Sequence, residues 1–245
     1  RRKFVKLSLA DSAVRRASKS PTVELVGLHA HIGSQVFDVR PFAKAVGVLA
    51  EFAAPYDFPE LVVGGGLGVP YVEGESAPSI QEWADAIFDA CAEAGVKSSV
   101  GAEPGRSIVA SAAVTLYTVG TIKEVPDHRT YVSVDGGMSD NPRPALYGSG
   151  YETFLPRSNQ AERQNPVRLV GKHCESGDFL IKEAWVPEGL SVGDIIATPV
   201  TGAYGHSMGS NYNQMLRPAV VFVSGGSSRL VVARESYEDL TRRDI

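Results

Sequence analysis

No stretch of this chain comes near the ~18 consecutive apolar residues that a membrane-spanning helix requires. Cysteine is scarce: Cys91 and Cys174 are the two among 245 residues, too few for a disulfide framework. Positive charge is not in excess either. With 24 Lys and Arg against 28 Asp and Glu the formal charge is −4, which argues against a protein held to nucleic acid through neutralised phosphates. There is no internal repeat and no low-complexity tract, and no charged-then-apolar signal opens these 245 residues. The first residues, Arg1-Arg2-Lys3, include no methionine, as expected of a piece of a longer protein. What is present is 43% hydrophobic residues, enough to bury a large core. The expectation is a soluble, cytoplasmic globular protein of one or two domains, with no membrane and no nucleic-acid partner.

The first part alternates strand-like and helix-like stretches. Val23–Leu28 runs into His29-Ala30-His31; Leu61-Val62-Val63 runs into Gly64-Gly65-Gly66; a strand near Ser99–Ala102 ends at Glu103-Pro104-Gly105-Arg106. Between them, Phe42, Val46, Leu49 and Phe52 follow a helical period behind Pro41. A second helix is expected from Pro78-Ser79-Ile80 through Trp83, Ile87, Phe88 and Cys91 to Gly95. Strand-then-helix units with glycine or polar residues at each strand's C-terminal end predict a parallel α/β arrangement. Beyond it come six β-rich runs, at residues 114–123, 130–134, 167–171, 194–198, 219–223 and 229–233, then a helical tail around 235–242. The expected domains are residues 1–110, α/β, and 111–245, all-β with a short helical tail.

Several clusters carry chemistry. His29 and His31, two apart on a strand, face the same side; they are core histidines, metal ligands or cofactor contacts. No acidic or cysteine neighbour completes a metal set, and Gly33-Ser34 offers donors better suited to an anion. The triplet Gly64-Gly65-Gly66 permits convergent N–H groups around a phosphate, or simply close backbone packing. In Glu103-Pro104-Gly105-Arg106 a carboxylate can accept from a protonated ring nitrogen and a guanidinium can grip an anion with two hydrogen bonds, although a surface turn with a local ion pair reads the same way. Prolines on both sides of Arg143 stiffen the run Asp135–Pro144. Cys174 sits among ionisable residues, in Lys172-His173-Cys174-Glu175-Ser176-Gly177-Asp178, and is a candidate acid or nucleophile, whereas Cys91 reads as core.

The order of these motifs is more specific than any one of them. His-x-His-Ile-Gly-Ser, Gly-Gly-Gly, Glu-Pro-Gly-Arg, Asp-Gly-Gly-Met-Ser-Asp-Asn-Pro-Arg-Pro, Cys-Glu-Ser-Gly-Asp and Gly202-Ala203-Tyr204 follow one another as in the diaminopimelate decarboxylases, which the chain resembles from about Lys3 to Ile245. The resemblance implies a partial (β/α)8 barrel that binds pyridoxal 5'-phosphate, followed by a C-terminal β-domain. It implies decarboxylation of meso-2,6-diaminopimelate to L-lysine. In the cofactor site, His31 would stack on the pyridoxal ring. Ser34, Gly64, Gly65, Gly66, Gly105 and Arg106 would hold the phosphate, and Glu103 would pair with the ring nitrogen, making the ring an electron sink. Arg106, Arg143 and Tyr147 would grip substrate carboxylate, and Glu175 would take the distal ammonium. Tyr204 would touch cofactor and substrate. Cys174, entering the neighbouring subunit's site, would protonate the α-carbon, so the resemblance implies a homodimer. Two arginines suit a substrate with two carboxylates better than ornithine.

One element of the family pattern is missing. Its cofactor lysine stands in a Tyr-Ala-x-Lys context on an early barrel strand, and none of Lys3, Lys6, Lys19, Lys44, Lys97, Lys123, Lys172 or Lys182 has that setting. The chain is therefore expected to be the C-terminal part of a longer enzyme, inactive by itself and lacking the Schiff-base lysine. Lys3-Phe4-Val5 and Val62 also depart from the usual residues. The competing expectations are a decarboxylase-like regulator without activity, an ornithine- or arginine-type decarboxylase, and a pyridoxal-phosphate racemase.

Overall fold

The computed structural model describes residues 7–245, so Lys3-Phe4-Val5 and Lys6 lie outside the described residues. The chain forms two compact units: one runs up to Gly68 and includes Ala77–Gly105, the other joins Val69–Ser76 to Arg106–Ile245.

The first unit is built on a parallel sheet of β1 (Gly27–His29), β2 (Glu60–Val62) and β3 (Ser99–Gly101), in that order. Helices α1 (Leu7–Ser18), α2 (Arg40–Ala53) and α3 (Ile80–Glu93) accompany it. In α2, proline occupies the first turn, where a missing N–H costs no helical bond, and Phe42 and Val46 are buried one turn apart. A reciprocal cap starts α3: Glu82 N–H donates to Ser79 Oγ (3.1 Å) while Ser79 N–H donates to the Glu82 carboxylate (2.8 Å). Trp83, Ile87 and Cys91, spaced by four, are buried, and Trp83 meets Phe42 edge-on at 5.8 Å. Phe88, within the expected helix, is 64% exposed because it lies about 100° around the helix from Ile87. Gly95 adopts φ 63° just past the helix, where a left-handed residue ends it without a Cβ penalty. Sequence periodicity missed α1, which buries Val14 against Ala53, Phe58 and Leu61.

In the second unit, a five-stranded sheet runs in the order β7-β6-β5-β4-β8. Its strands are β4 (Val114–Val125), β5 (Arg129–Val134), β6 (Asn165–Val170), β7 (Phe179–Val186) and β8 (Ile195–Pro199). β5 and β6 pair in parallel, the other neighbours antiparallel. Its core holds Val119, Val132, Leu169, Leu180 and Ile196, all nearly inaccessible. Strand β7 was not expected: register shifts against β6 and the polar pair Lys182-Glu183 break its alternation. Short helices α4 (Gly105–Val109), α5 (Arg143–Tyr147) and α6 (Gly205–Met208) carry expected site residues or their neighbours. A hairpin of β9 (Val220–Ser224) and β10 (Ser227–Val232) and the helix α7 (Tyr237–Thr241) follow, near where strands and a helical tail were expected. No described helix is long and apolar enough to cross a membrane.

Candidate functional site

In the first unit the expected residues gather at the C-terminal ends of the parallel strands, where ligands of such sheets bind. The ladder continues past the strand ends: Ala30 N–H donates to Val62 O (2.8 Å), Val63 N–H to Gly101 O (2.9 Å) and Glu103 N–H to Gly64 O (2.7 Å). His29 Nε2 lies 2.9 Å from Glu103 Oε2, a pair spanning 74 residues, with both side chains about half exposed. Gly65 N–H donates to His31 Nδ1 at 3.2 Å. In the neutral imidazole this places the ring proton on Nε2.

The glycine triplet is a zone of direct backbone packing. A Cβ on Gly65 would stand 1.9 Å from Glu103 O, and one on Gly66 would stand 2.1 Å from Gly33 O. The segments after the three strands thus meet without intervening side chains, beside His31 and Glu103. One expectation shifts: the Gly65 amide, placed on a phosphate by the resemblance, is here given to His31. An imidazole held by its Nδ1 and a carboxylate steadied at one oxygen, beside backbone segments packed without side chains, fit a flat ring with a basic nitrogen.

The second unit collects two guanidinium groups around one phenol. Arg106 donates to Tyr71 Oη (2.6 Å), and its Cζ stands 5.7 Å from the Tyr71 ring and 5.0 Å from the Tyr204 ring. Arg143 Cζ lies 4.5 Å from the Tyr71 ring. Arg143 is 4% exposed, and its nitrogens reach Tyr151 Oη (3.2 Å) and Ser149 Oγ (3.1 Å). Among the described residues no carboxylate bonds to it. A buried cation with only neutral partners is costly unless an anion joins it. Burial, more than any neighbour, raises the pKa of Tyr151 and keeps it a donor or acceptor rather than a counter-ion. Tyr147, at the end of α5, is exposed, and Tyr204 holds a left-handed φ of 67°.

The run Asp135–Pro144 organises the rest of this unit's loops. Lys172 N–H donates to Gly136 O (3.0 Å), Ser210 N–H to Ser139 O (2.8 Å) and Met138 N–H to Asp178 Oδ1 (2.7 Å). Asp178 also accepts from His173 N–H (2.9 Å), and its Oδ2 is 2.9 Å from His173 Nδ1, in a pair that is almost wholly buried. A Cβ on Gly137 would stand 2.6 Å from that imidazole, which accounts for glycine there. Burial pushes the Asp140 carboxyl up, against the pull of the Tyr117 hydroxyl and the Gly137 N–H; burial and Asp140 drive Tyr117 well up. Cys174 is left exposed on this anchored loop, and Glu175 accepts a hydrogen bond from Tyr212 Oη.

Sequence reasoning missed four contributors: His29 as partner of Glu103, Tyr71 under both arginines, Asp178 as anchor of the cysteine loop, and Tyr212. Each relation joins residues brought together by the fold, except His173 with Asp178. That pair, five residues apart in a loop rich in ionisable groups, was the one with a local signal.

The family profile described as "Pyridoxal-dependent decarboxylase, C-terminal sheet domain" matches residues 13–202. A Synechocystis protein named diaminopimelate decarboxylase is 46% identical over 237 residues, covering 93% of this chain and 50% of the relative. One of the same name from Bacillus subtilis is 43% identical over 246 residues, covering 96% of this chain and 56% of the relative. Among solved structures, diaminopimelate decarboxylase from M. jannaschii in complex with L-lysine superposes with a TM-score of 0.88 at 34% identity, over 96% of this chain and 55% of that one. The Helicobacter pylori enzyme, also complexed with L-lysine, gives 0.86 at 35% identity, over 97% and 59%. These likenesses bear out the expected class, a partial (β/α) barrel followed by a β-domain. The chain spans about half the length of the curated relatives it matches.

Proposed function

Since this chain belongs to the pyridoxal-dependent decarboxylases, we propose that the full-length protein decarboxylates meso-2,6-diaminopimelate to L-lysine. The observation that carries the substrate is Arg143: a buried guanidinium with no acidic partner among the described residues, ringed by Tyr71, Tyr151 and Ser149. Diaminopimelate brings a second carboxylate, which stays when the first leaves as carbon dioxide, to serve as that anion; ornithine and arginine carry only the carboxylate that departs.

Pyridoxal phosphate, when bound, supplies a cationic aromatic ring that takes up the electron pair left on the α-carbon as carbon dioxide departs. The chain's residues set the conditions for this. Glu103 holds a proton at the ring nitrogen, and His29, bonded to Oε2, leaves Oε1 for that task. His31, fixed by the Gly65 amide, provides a flat face. Ser34, Gly64, Gly66, Gly105 and Arg106 hold the phosphate; Gly65 contributes by orienting His31. Arg143, with Arg106 and Tyr147, holds substrate carboxylate, and Tyr204 flanks cofactor and substrate. Glu175 receives the distal ammonium. Cys174 gives its thiol proton to the α-carbon, replacing the bond to the departed carboxylate.

The lysine that bears the cofactor belongs, in this reading, to the part of the protein outside this chain. Cys174 acts in the site of a second copy, so the working unit is a homodimer; its exposure on an anchored loop supports that role. A reduced thiol is needed for proton donation, which favours the cytoplasm.

The test is an assay of the full-length protein with pyridoxal phosphate and either meso-diaminopimelate, ornithine or arginine. Equal amounts of carbon dioxide and lysine from diaminopimelate are expected. Turnover of ornithine alone, or of none, contradicts the proposal.

A further inference from the structure

Tyr212 sits at the head of a turn that its surroundings force into shape. Asn213 and Gln214, directly after it, adopt φ values of 53° and 57°, a left-handed conformation that such residues keep only where neighbouring contacts impose it. Those contacts are present. Asn211 Nδ2 donates to Met215 O (2.9 Å) and to the Glu235 carboxylate, which also binds the Arg217 N–H (2.8 Å) and guanidinium (2.6 Å). Ser210 N–H ties the turn's near end to Ser139 O.

The ring that this turn presents is backed by a rigid surface. Tyr212 stacks on His173, with ring centroids 5.8 Å apart and planes at 20°. His173 is itself buried and held at Nδ1 by Asp178. From that backing the phenol donates to Glu175 Oε1. Among the described residues Oε2 of Glu175 takes no bond. The carboxylate of Glu175 raises the phenol's pKa, first through this hydrogen bond; burial and the nearby Cys174 add to it, so the donor stays protonated.

We propose that Tyr212 is a specificity-determining positioning residue: by occupying one oxygen of Glu175 from a ring stacked on His173, it leaves the other oxygen fixed to receive the substrate's distal ammonium. The proposal rests on the reading of Glu175 as the ammonium acceptor. Without the phenol, the carboxylate regains its rotamers and its hydration, and the ammonium meets a less ordered partner.

The test is Tyr212→Phe in the full-length protein with its cofactor. This change keeps the ring against His173 and removes only the hydroxyl. KM for meso-diaminopimelate should rise about tenfold, as expected for one hydrogen bond to a charged group, with kcat within about twofold. Preference for diaminopimelate over 2-aminopimelate, which lacks the distal ammonium, should fall by about the same factor. A merely structural role would move both substrates alike, and that result overturns the proposal. Glu175→Gln separates the two readings. If it lowers the preference and Tyr212→Phe does not, the proposal for Tyr212 fails while that for Glu175 stands. If Glu175→Gln leaves the preference intact, the reading of Glu175 fails and takes this proposal with it. The double variant should discriminate no worse than Glu175→Gln alone.

Discussion

His29 Nε2 and Glu103 Oε2, 2.9 Å apart, join the ends of the two outer strands, β1 and β3, of the three-stranded parallel sheet. The imidazole steadies the carboxylate without burying it, since both side chains are about half exposed. His29→Ala should therefore leave folding stability nearly unchanged while lowering kcat by about 10–100-fold, the usual cost of removing a partner that orients a functional group. Steady-state kinetics on the full-length protein, with thermal unfolding alongside, check this. An unaltered kcat would mean that Glu103 needs no support.

Cys174→Ala should slow turnover by about 10²–10⁴-fold, the range for loss of a positioned acid. The absorbance of bound cofactor should not change, because the substitution removes a proton donor and no binding contact. Turnover equal to that of the parent would reject the acid role.

Asp178→Ala removes the acceptor for Met138 N–H, His173 N–H and His173 Nδ1 at a site that is 3% exposed. Three donors lose their partner inside the protein. A loss of about 3–5 kcal/mol is expected, read by chemical denaturation. A loss below about 1 kcal/mol would contradict the view that this carboxylate anchors the cysteine loop, since even a lone unmet buried donor costs about that much.

The side chain of Arg217, bonded to Glu235, holds that carboxyl at about 2, below its ordinary 4.5. A carboxyl whose pKa is lowered by folding stabilises the native state fully above about 4.5, and that contribution is lost as the pH falls toward about 2. The 211–217 turn should thus exchange its amide hydrogens more readily at pH 3 than at pH 6, relative to the sheet core. Glu235→Gln should remove that difference. Equal protection at both pH values in the parent protein would argue against the ion pair as the turn's clasp.

The helices whose apolar residues recur every three or four positions, α2 and α3, were legible in the sequence because Phe42 and Val46, or Trp83, Ile87 and Cys91, form one buried face. Helix α1 was not, since among its described side chains only Val14 joins the buried core, while the apolar Leu9 is exposed. Strand β7 was hidden by register shifts that break the two-residue alternation on which strand reading depends. The same divide runs through the candidate site. Glu103-Pro104-Gly105-Arg106 and the cysteine loop stand out because their chemistry is contiguous. Tyr71 carries no local mark, yet Arg106 and Arg143 both meet it, 35 and 72 residues further along. The triplet Gly64-Gly65-Gly66 admitted two readings, and backbone packing accounts for Gly65 and Gly66 directly.

As proposed, the Glu103 carboxylate, beside the glycine triplet and braced by His29, keeps a ring nitrogen protonated while a C–C bond breaks. The most direct test is kcat of the full-length Glu103→Gln variant, measured with the cofactor shown to be bound by its absorbance. A fall of about 10²–10³-fold is expected, the scale on which loss of a preorganised electrostatic group acts. Turnover equal to that of the parent protein, with cofactor bound, would contradict it.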